Sequence, residues 1–349
     1  MSASVAIRID ATKRRTRTAA ATERAVTSNF DSVAAVRKAM LSKLEQSVLD
    51  GSDVRTLGLT PYTAQDVASK LRELEFKRAG FQIPYFDVQG KRTKFYRFRY
   101  LEYDNARGFA KLVHSNGSGP LKHDIRYVQP ANTQPEPYLS PAMDWPAVFK
   151  NVAVPIVITE GELKAACACK HKLACIGLGG VWNFKAAKEG MHLLPIFTAI
   201  KWINTIAVPG ADGKGTVEQE VQRDVYICYD SDSITNANVC MAENKLAHEL
   251  ANLGALVHIC RMPALGGKKT GIDDYIAQRG FDALMEHVVN DVEAPLWEAC
   301  SELFKLNEEV IYVRDPGLVL RLENLQRMTA SAVMRCRFSR RSTRPGSRT

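Results

Sequence analysis

From residue 150 onward the chain alternates short apolar runs with helical patterns, and this alternation restricts the fold more than any other feature. VPIVIT reads as a strand, ELKAACACKHK as a helix, LACIGLG and DVYICYD as strands, NVCMAENKLAHELANLG as a helix, ALVHICRM as a strand, and IDDYIAQRG and FDALMEHVV as helices. In the longest helix Val239, Ala242, Leu246, Leu250 and Leu253 form one stripe, which Gly254 stops. Short apolar strands separated by helices imply a parallel sheet covered on both faces. The expectation is an open, doubly wound α/β domain over 150–295 with a smaller α+β region before it.

That smaller region spans 61–149. Thr63 caps AQDVASKLRELEFK, where Val67, Leu71 and Leu74 share one face of a helix ending before Gly80. FQIPYFDVQGKRTKFYRFRYLEY then forms a hairpin about Gln89-Gly90, in which Tyr96, Phe98 and Tyr100 alternate with Arg97, Arg99 and Leu101. A proline-rich connector, YVQPANTQPEPYLSP, follows. Residues 1–60 read as a basic, partly disordered lead-in with one helical pattern near Val33 to Val48. Residues 296–330 read as a linker or the start of a missing following domain. The last segment, 331–349, is a basic disordered tail, whose abrupt change of composition suggests truncation or a shifted reading frame.

In 349 residues, 46% hydrophobic and 24% charged, no run approaches the roughly 18 apolar residues of a membrane helix. The expected location is the cytoplasm, without a membrane partner. The net charge of +9 gathers at the ends: six arginines and no acid lie within 335–348. Basic ends suit phosphate binding, and solvated tails equally. All eight cysteines follow residue 166, which argues against a disulfide framework. Cys167, Cys169, His171 and Cys175 look like a metal set, but two residues along a helix turn about 200°. Buried apolar thiols beside an exposed imidazole are the better reading.

In a parallel α/β sheet, ligands collect at the carboxyl ends of the strands. Three such ends are acidic here: Glu160-Gly161, Asp230-Ser231-Asp232, and the loop GGKKTGIDD with Asp273 and Asp274. Asp230 and Asp232, two apart on extended chain, point to one side and can share a hard cation such as Mg²⁺. Gly179 and Gly180 end another strand and allow a phosphate to approach the backbone. Arg97 and Arg99 could hold phosphates while neighbouring aromatics stack bases; the alternative is a half-buried strand with a solvated basic face. Each acid also has a structural reading as a helix cap, and one of Asp273 and Asp274 is expected to serve that way. No P-loop spacing is present.

The order ITEG (158–161) then YDSD (229–232) resembles the TOPRIM domain of primases, topoisomerases and some nucleases. More closely, EGELKAA with IGLGGVW, YDSD and TGIDDY resembles a TOPRIM-like domain of unknown function from replication proteins of phages, plasmids and other mobile elements. The resemblance implies Glu160 as general acid/base and Asp230 and Asp232 as ligands of Mg²⁺ or Mn²⁺. Lys164, with Lys268 or Lys269, would contact phosphate or restrain the carboxylates. It further implies DNA and nucleotides as partners, a replicative helicase nearby, and primase-type nucleotidyl transfer. A TOPRIM-type nuclease and a noncatalytic DNA-binding or assembly module are the alternatives. The family's third acid is missing here, because Ser233 and Ile234 follow Asp232.

Overall fold

The computed structural model describes residues 30–101, 126–186, 192–209, 215–290 and 292–293. The linker and tail expected over 296–349, and residues 1–29 of the lead-in, lie outside the described residues. The helical pattern expected near Val33 to Val48 is met by a helix that packs into the core. Helix α1 (Val33–Glu45) is capped by Ser32 and buries Val36, Met40 and Leu44. Helix α2 (Gly51–Thr56) is capped by Asp50 and buries Val54. Both helices contribute to the main core.

Strand β1 (Thr60–Tyr62) leads to helix α3 (Ala64–Lys70), with Thr63 and Asp66 forming a reciprocal capping box. The helix stops at Leu71, well short of Gly80, where the Lys77 ammonium collects the carbonyls of Leu71, Arg72 and Leu74. Strands β2 (Gly80–Phe86) and β3 (Arg92–Tyr100) form the expected antiparallel hairpin, flanked by β1 and by β4 (Tyr127–Val128). One face of this sheet, with Tyr96, Phe98 and Tyr100, packs on Val67, Leu71 and Leu74. The other, with Phe81, Ile83, Tyr85 and Phe95, joins the main core. Both faces are therefore covered.

After β5 (Tyr138–Leu139) and α4 (Trp145–Lys150) comes the α/β unit expected from the alternation. It runs β6 (Ile156–Glu160), α5 (Glu162–Lys170), β7 (Cys175–Leu178), α6 (Pro195–Thr198), an inserted hairpin of β8 (Ile203–Pro209) and β9 (Thr216–Gln222), and β10 (Asp224–Ile227). It continues through α7 (Ala237–Asn252), β11 (Leu256–Cys260), α8 (Ile272–Arg279), α9 (Phe281–Asn290) and β12 (Val292–Glu293). The sheet order is β12-β11-β10-β6-β7-β5, with β11, β10, β6 and β7 parallel and the two edge strands antiparallel. The β6-α5-β7 unit steps one way along the sheet, and β10-α7-β11 steps the other. Right-handed crossovers in opposite directions put α5 and α7 on opposite faces. The winding thus reverses between β6 and β10, and such a switch point opens a crevice at the carboxyl edge.

Helix α5 is buried from Leu163 to Cys169 except for Lys164. Cys167, Cys169 and Cys175 are free, fully buried thiols, and burial raises the first two to about 12. His171 is not exposed as expected: it is half-buried, with its ring stacked 4.7 Å from that of Phe281. Among the described residues, no helix is long and apolar enough to cross a membrane.

Candidate active site

Strand β6 carries Glu160 to the switch point, and Gly161 turns the chain there. Its φ of 106° lies where a side chain is strained, and its N–H donates to the Leu178 carbonyl at 2.7 Å. Pairing of β10 with β6 extends through Cys228, whose N–H reaches the Ile158 carbonyl at 2.8 Å. Tyr229 and Asp230 follow, so Asp230 emerges beside Glu160. Asp230 opens a short 3₁₀ turn, Ser231–Ile234. The loop after β11 is tied to this turn: Ser231 N–H donates to the Thr270 carbonyl, and Thr270 N–H to Ser231 Oγ, both at 2.9 Å. Positive φ at Gly266 and Gly267 shapes that loop.

Two lysines meet the aspartates. Lys164 Nζ pairs with Asp230 Oδ1. Lys269 Nζ lies 3.2 Å from Asp230 Oδ2 and 3.0 Å from Asp232 Oδ2. Asp232 Oδ1 is buried and has no hydrogen-bond partner. The Asp232 side chain does not cap α7; Asn236 does so, accepting from Asn238 N–H. Lys268 is exposed.

Burial raises the Glu160 carboxyl above the usual range, Asp230 and Asp232 push in the same direction, and Lys164 and Lys269 pull against them. Burial also disfavours the Lys164 ammonium, but Asp230, Asp273 and Glu160 outweigh it and raise its pKa.

The two acids that open α8 have separate surroundings. Asp274 Oδ2 accepts from Gly271 N–H at 3.0 Å, closing the first turn of its own helix. Asp273 is buried and its carboxyl is raised by burial, while a hydrogen bond to Ser47 and the Lys164 charge oppose that rise. Gly271 went unnoticed in the sequence. A Cβ there would sit 2.5 Å from Lys164 Cε and 2.9 Å from Asp230 Oδ1, so this glycine gives the ion pair its room. The only sequence signal is its position three residues before Asp274, the acid that closes the first turn of α8.

Arg97 and Arg99 require a correction. They are not on a solvated face, and the rings of Tyr96, Phe98 and Tyr100 are buried. Arg97 is 13% exposed and Glu162 1%. The Arg97 guanidinium donates to Glu162 Oε1 at 2.8 Å and to the Gly179 carbonyl at 2.7 Å. Tyr85 O–H donates to the same Glu162 oxygen at 2.7 Å. Arg97 and Arg99 both lie over the Tyr127 ring, at 5.0 and 4.7 Å. Gly179 likewise makes room for Arg97, because a Cβ would lie 2.6 Å from its Nη1. Gly180 is looser: a Cβ would first meet Asn183 at 3.7 Å. Glu162, Tyr85 and Tyr127 went unrecognised in the sequence, because their partners come from distant segments.

Residues 144–283 match the model of a domain of unknown function, DUF3854. No curated protein matches the chain in sequence. Among solved structures, the chain is similar to the RNA polymerase domain of Mycobacterium tuberculosis primase DnaG, at 12% identity and a TM-score of 0.47, covering 89% of this chain and 93% of that one. The same domain in complex with double-stranded DNA gives 14% identity and a TM-score of 0.45, covering 86% of this chain and 88% of that one. A DnaG primase catalytic domain bound to single-stranded DNA gives 12% identity and a TM-score of 0.45, covering 85% and 84%.

Proposed function

We propose that the protein is a replication-associated, TOPRIM-like enzyme of a mobile element, performing primase-type nucleotidyl transfer on a DNA template. The observation that carries this reading is the meeting of Glu160, Asp230 and Asp232 at the reversal between β6 and β10, with two lysines among them. Asp230 and Asp232 offer hard oxygen donors that suit Mg²⁺ or Mn²⁺. The unpartnered, buried Asp232 Oδ1 fits that use, since a buried carboxylate oxygen without a partner is unfavourable until something meets it. Among the described residues no three acids, histidines or cysteines gather closely enough to form a complete metal cage. Mg²⁺ commonly takes only one or two carboxylates and completes its shell with water and phosphate.

When bound, such an ion neutralises charge on the nonbridging phosphate oxygens. The remaining work falls to the chain. Glu160, with its raised carboxyl, exchanges protons nearer neutrality than an exposed glutamate does and takes the proton of the attacking hydroxyl. Lys164 orients Asp230 from behind. The Arg97–Glu162 pair holds the turn after β6, fixing where Glu160 emerges. DNA, nucleotides and a replicative helicase are the partners of this reading.

One observation favours a noncatalytic DNA-binding or assembly module instead: lysines already pair with both oxygens of Asp230 and one of Asp232. A single assay separates these readings from each other and from a nuclease. Purified protein is incubated with single-stranded DNA, labelled nucleotides and Mg²⁺, beside Glu160→Gln and an Asp230→Asn, Asp232→Asn double variant. Primer synthesis is expected from wild type, falling roughly 10²–10⁴-fold in Glu160→Gln and to background in the double variant. Shortened DNA in place of new primers would identify a nuclease. No product from any of the three would leave the binding module.

A further inference from the structure

Two lysines contact the Asp230–Asp232 pair, and their settings differ. Lys164 is 19% exposed and packs against Gly271, where even a methyl group would collide with it. Lys269 is 50% exposed and is the residue that bridges both aspartates. The backbone beneath it is fixed, since Leu265 N–H donates to Thr270 Oγ1 and Thr270 is bonded both ways to Ser231. The Lys269 side chain can therefore leave without the loop moving, and its ammonium regains water readily.

We propose that Lys269 is a resident counter-cation of the Asp230–Asp232 pair: a divalent cation binds there by displacing its ammonium, which then contacts a phosphate of the incoming nucleotide. This inference rests on the metal-site reading above. The charges support the exchange. The carboxylates of Glu160, Asp230 and Asp232, with Asp273 beside Lys164, outnumber the two ammoniums at this edge, so a dication replacing Lys269 on the aspartates is accommodated, and it and the freed Lys269 are two positive groups for a polyphosphate. Asp232 Oδ1 has no competing partner to give up. Lys164 stays behind Asp230 throughout.

The test is Mn²⁺ binding to the full chain, followed by electron paramagnetic resonance, for wild type, Lys269→Met, Lys269→Arg and the Asp230→Asn, Asp232→Asn double variant. Removing a competing charge at contact distance should tighten Mn²⁺ binding roughly tenfold or more in Lys269→Met, while Lys269→Arg stays near wild type. In the Mn²⁺-saturated protein, Lys269→Met should bind ATP roughly tenfold more weakly. Unchanged or weaker Mn²⁺ affinity in Lys269→Met, with binding lost in the double variant, would overturn the counter-cation and leave the metal site standing. Mn²⁺ binding that survives in the double variant would sink both. Undiminished ATP binding by Lys269→Met would overturn the transfer to phosphate.

Discussion

The carboxyl edge of the sheet holds two clusters of opposite charges, only two residues apart at Glu160 and Glu162, and they are built differently. Around Glu162 the cluster is sealed: one carboxylate oxygen accepts from both Arg97 and Tyr85, Arg97 also donates to the Gly179 carbonyl and lies over the Tyr127 ring, and the carboxylate is 1% exposed, with its other oxygen buried and unpartnered. Around Glu160 it is open: the Lys269 side chain is half-exposed, that of Asp232 is 31% exposed, and Glu160 itself has a raised carboxyl. Exchangeable contacts suit a ligand, whereas fixed ones suit a frame. The sealed cluster joins the N-terminal sheet to the turn that presents the open one. Its charges therefore hold the position of that turn.

The largest effect expected from breaking this contrast comes from Arg97→Met. It leaves the Glu162 carboxylate buried without its cation, and removing one partner of a buried pair costs about 3–5 kcal/mol. Urea unfolding should show the loss as a lowered midpoint, and much of it should return in an Arg97→Met, Glu162→Leu double variant. A single variant as stable as wild type would mean that the cluster is not sealed. Gly271→Ala comes next and tests the open side. Its methyl would collide with Lys164 and Asp230, and overpacking of this kind costs about 1–3 kcal/mol. An equal urea midpoint would show that the lysine yields freely, and the distinction between a fixed Lys164 and a displaceable Lys269 would fail.

The parallel core was legible because IVITE, CIGL, DVYI and LVHIC are short apolar runs, and acids at the ends of two of them mark the edge where chemistry collects. The start of the fold was harder to see. Val36, Met40 and Leu44 have helical spacing, but the basic residues around them made the segment read as a lead-in. The β8–β9 hairpin escaped entirely, because its strands are mostly exposed and carry no buried pattern. In FYRFRY the period of two was correct, but alternation does not say which face is covered. Arg97 finds Glu162 65 positions away, a pairing that no local pattern encodes. For the same reason Gly179 read as a phosphate contact when its neighbour is a guanidinium.

The smallest effect expected is a gain, and its sign separates the two clusters most cleanly. Burial and the neighbouring aspartates raise the Glu160 carboxyl in the folded chain, so between its ordinary value of about 4.3 and that raised value the folded state holds more proton than the unfolded one. Stability then falls as pH rises through this window, and the buried, raised Asp273 acts in the same direction. Glu160→Gln has no proton to lose there. Its thermal midpoint should exceed that of wild type at neutral pH, with the gap closing as pH drops below about 4.3, where both side chains are neutral. A desolvated carboxylate beside other acids behaves this way, whereas one paired with a buried cation, as Glu162 is, should lose stability on removal. Equal midpoints at every pH would show that Glu160 is not desolvated, and its part in proton exchange would lose its physical basis.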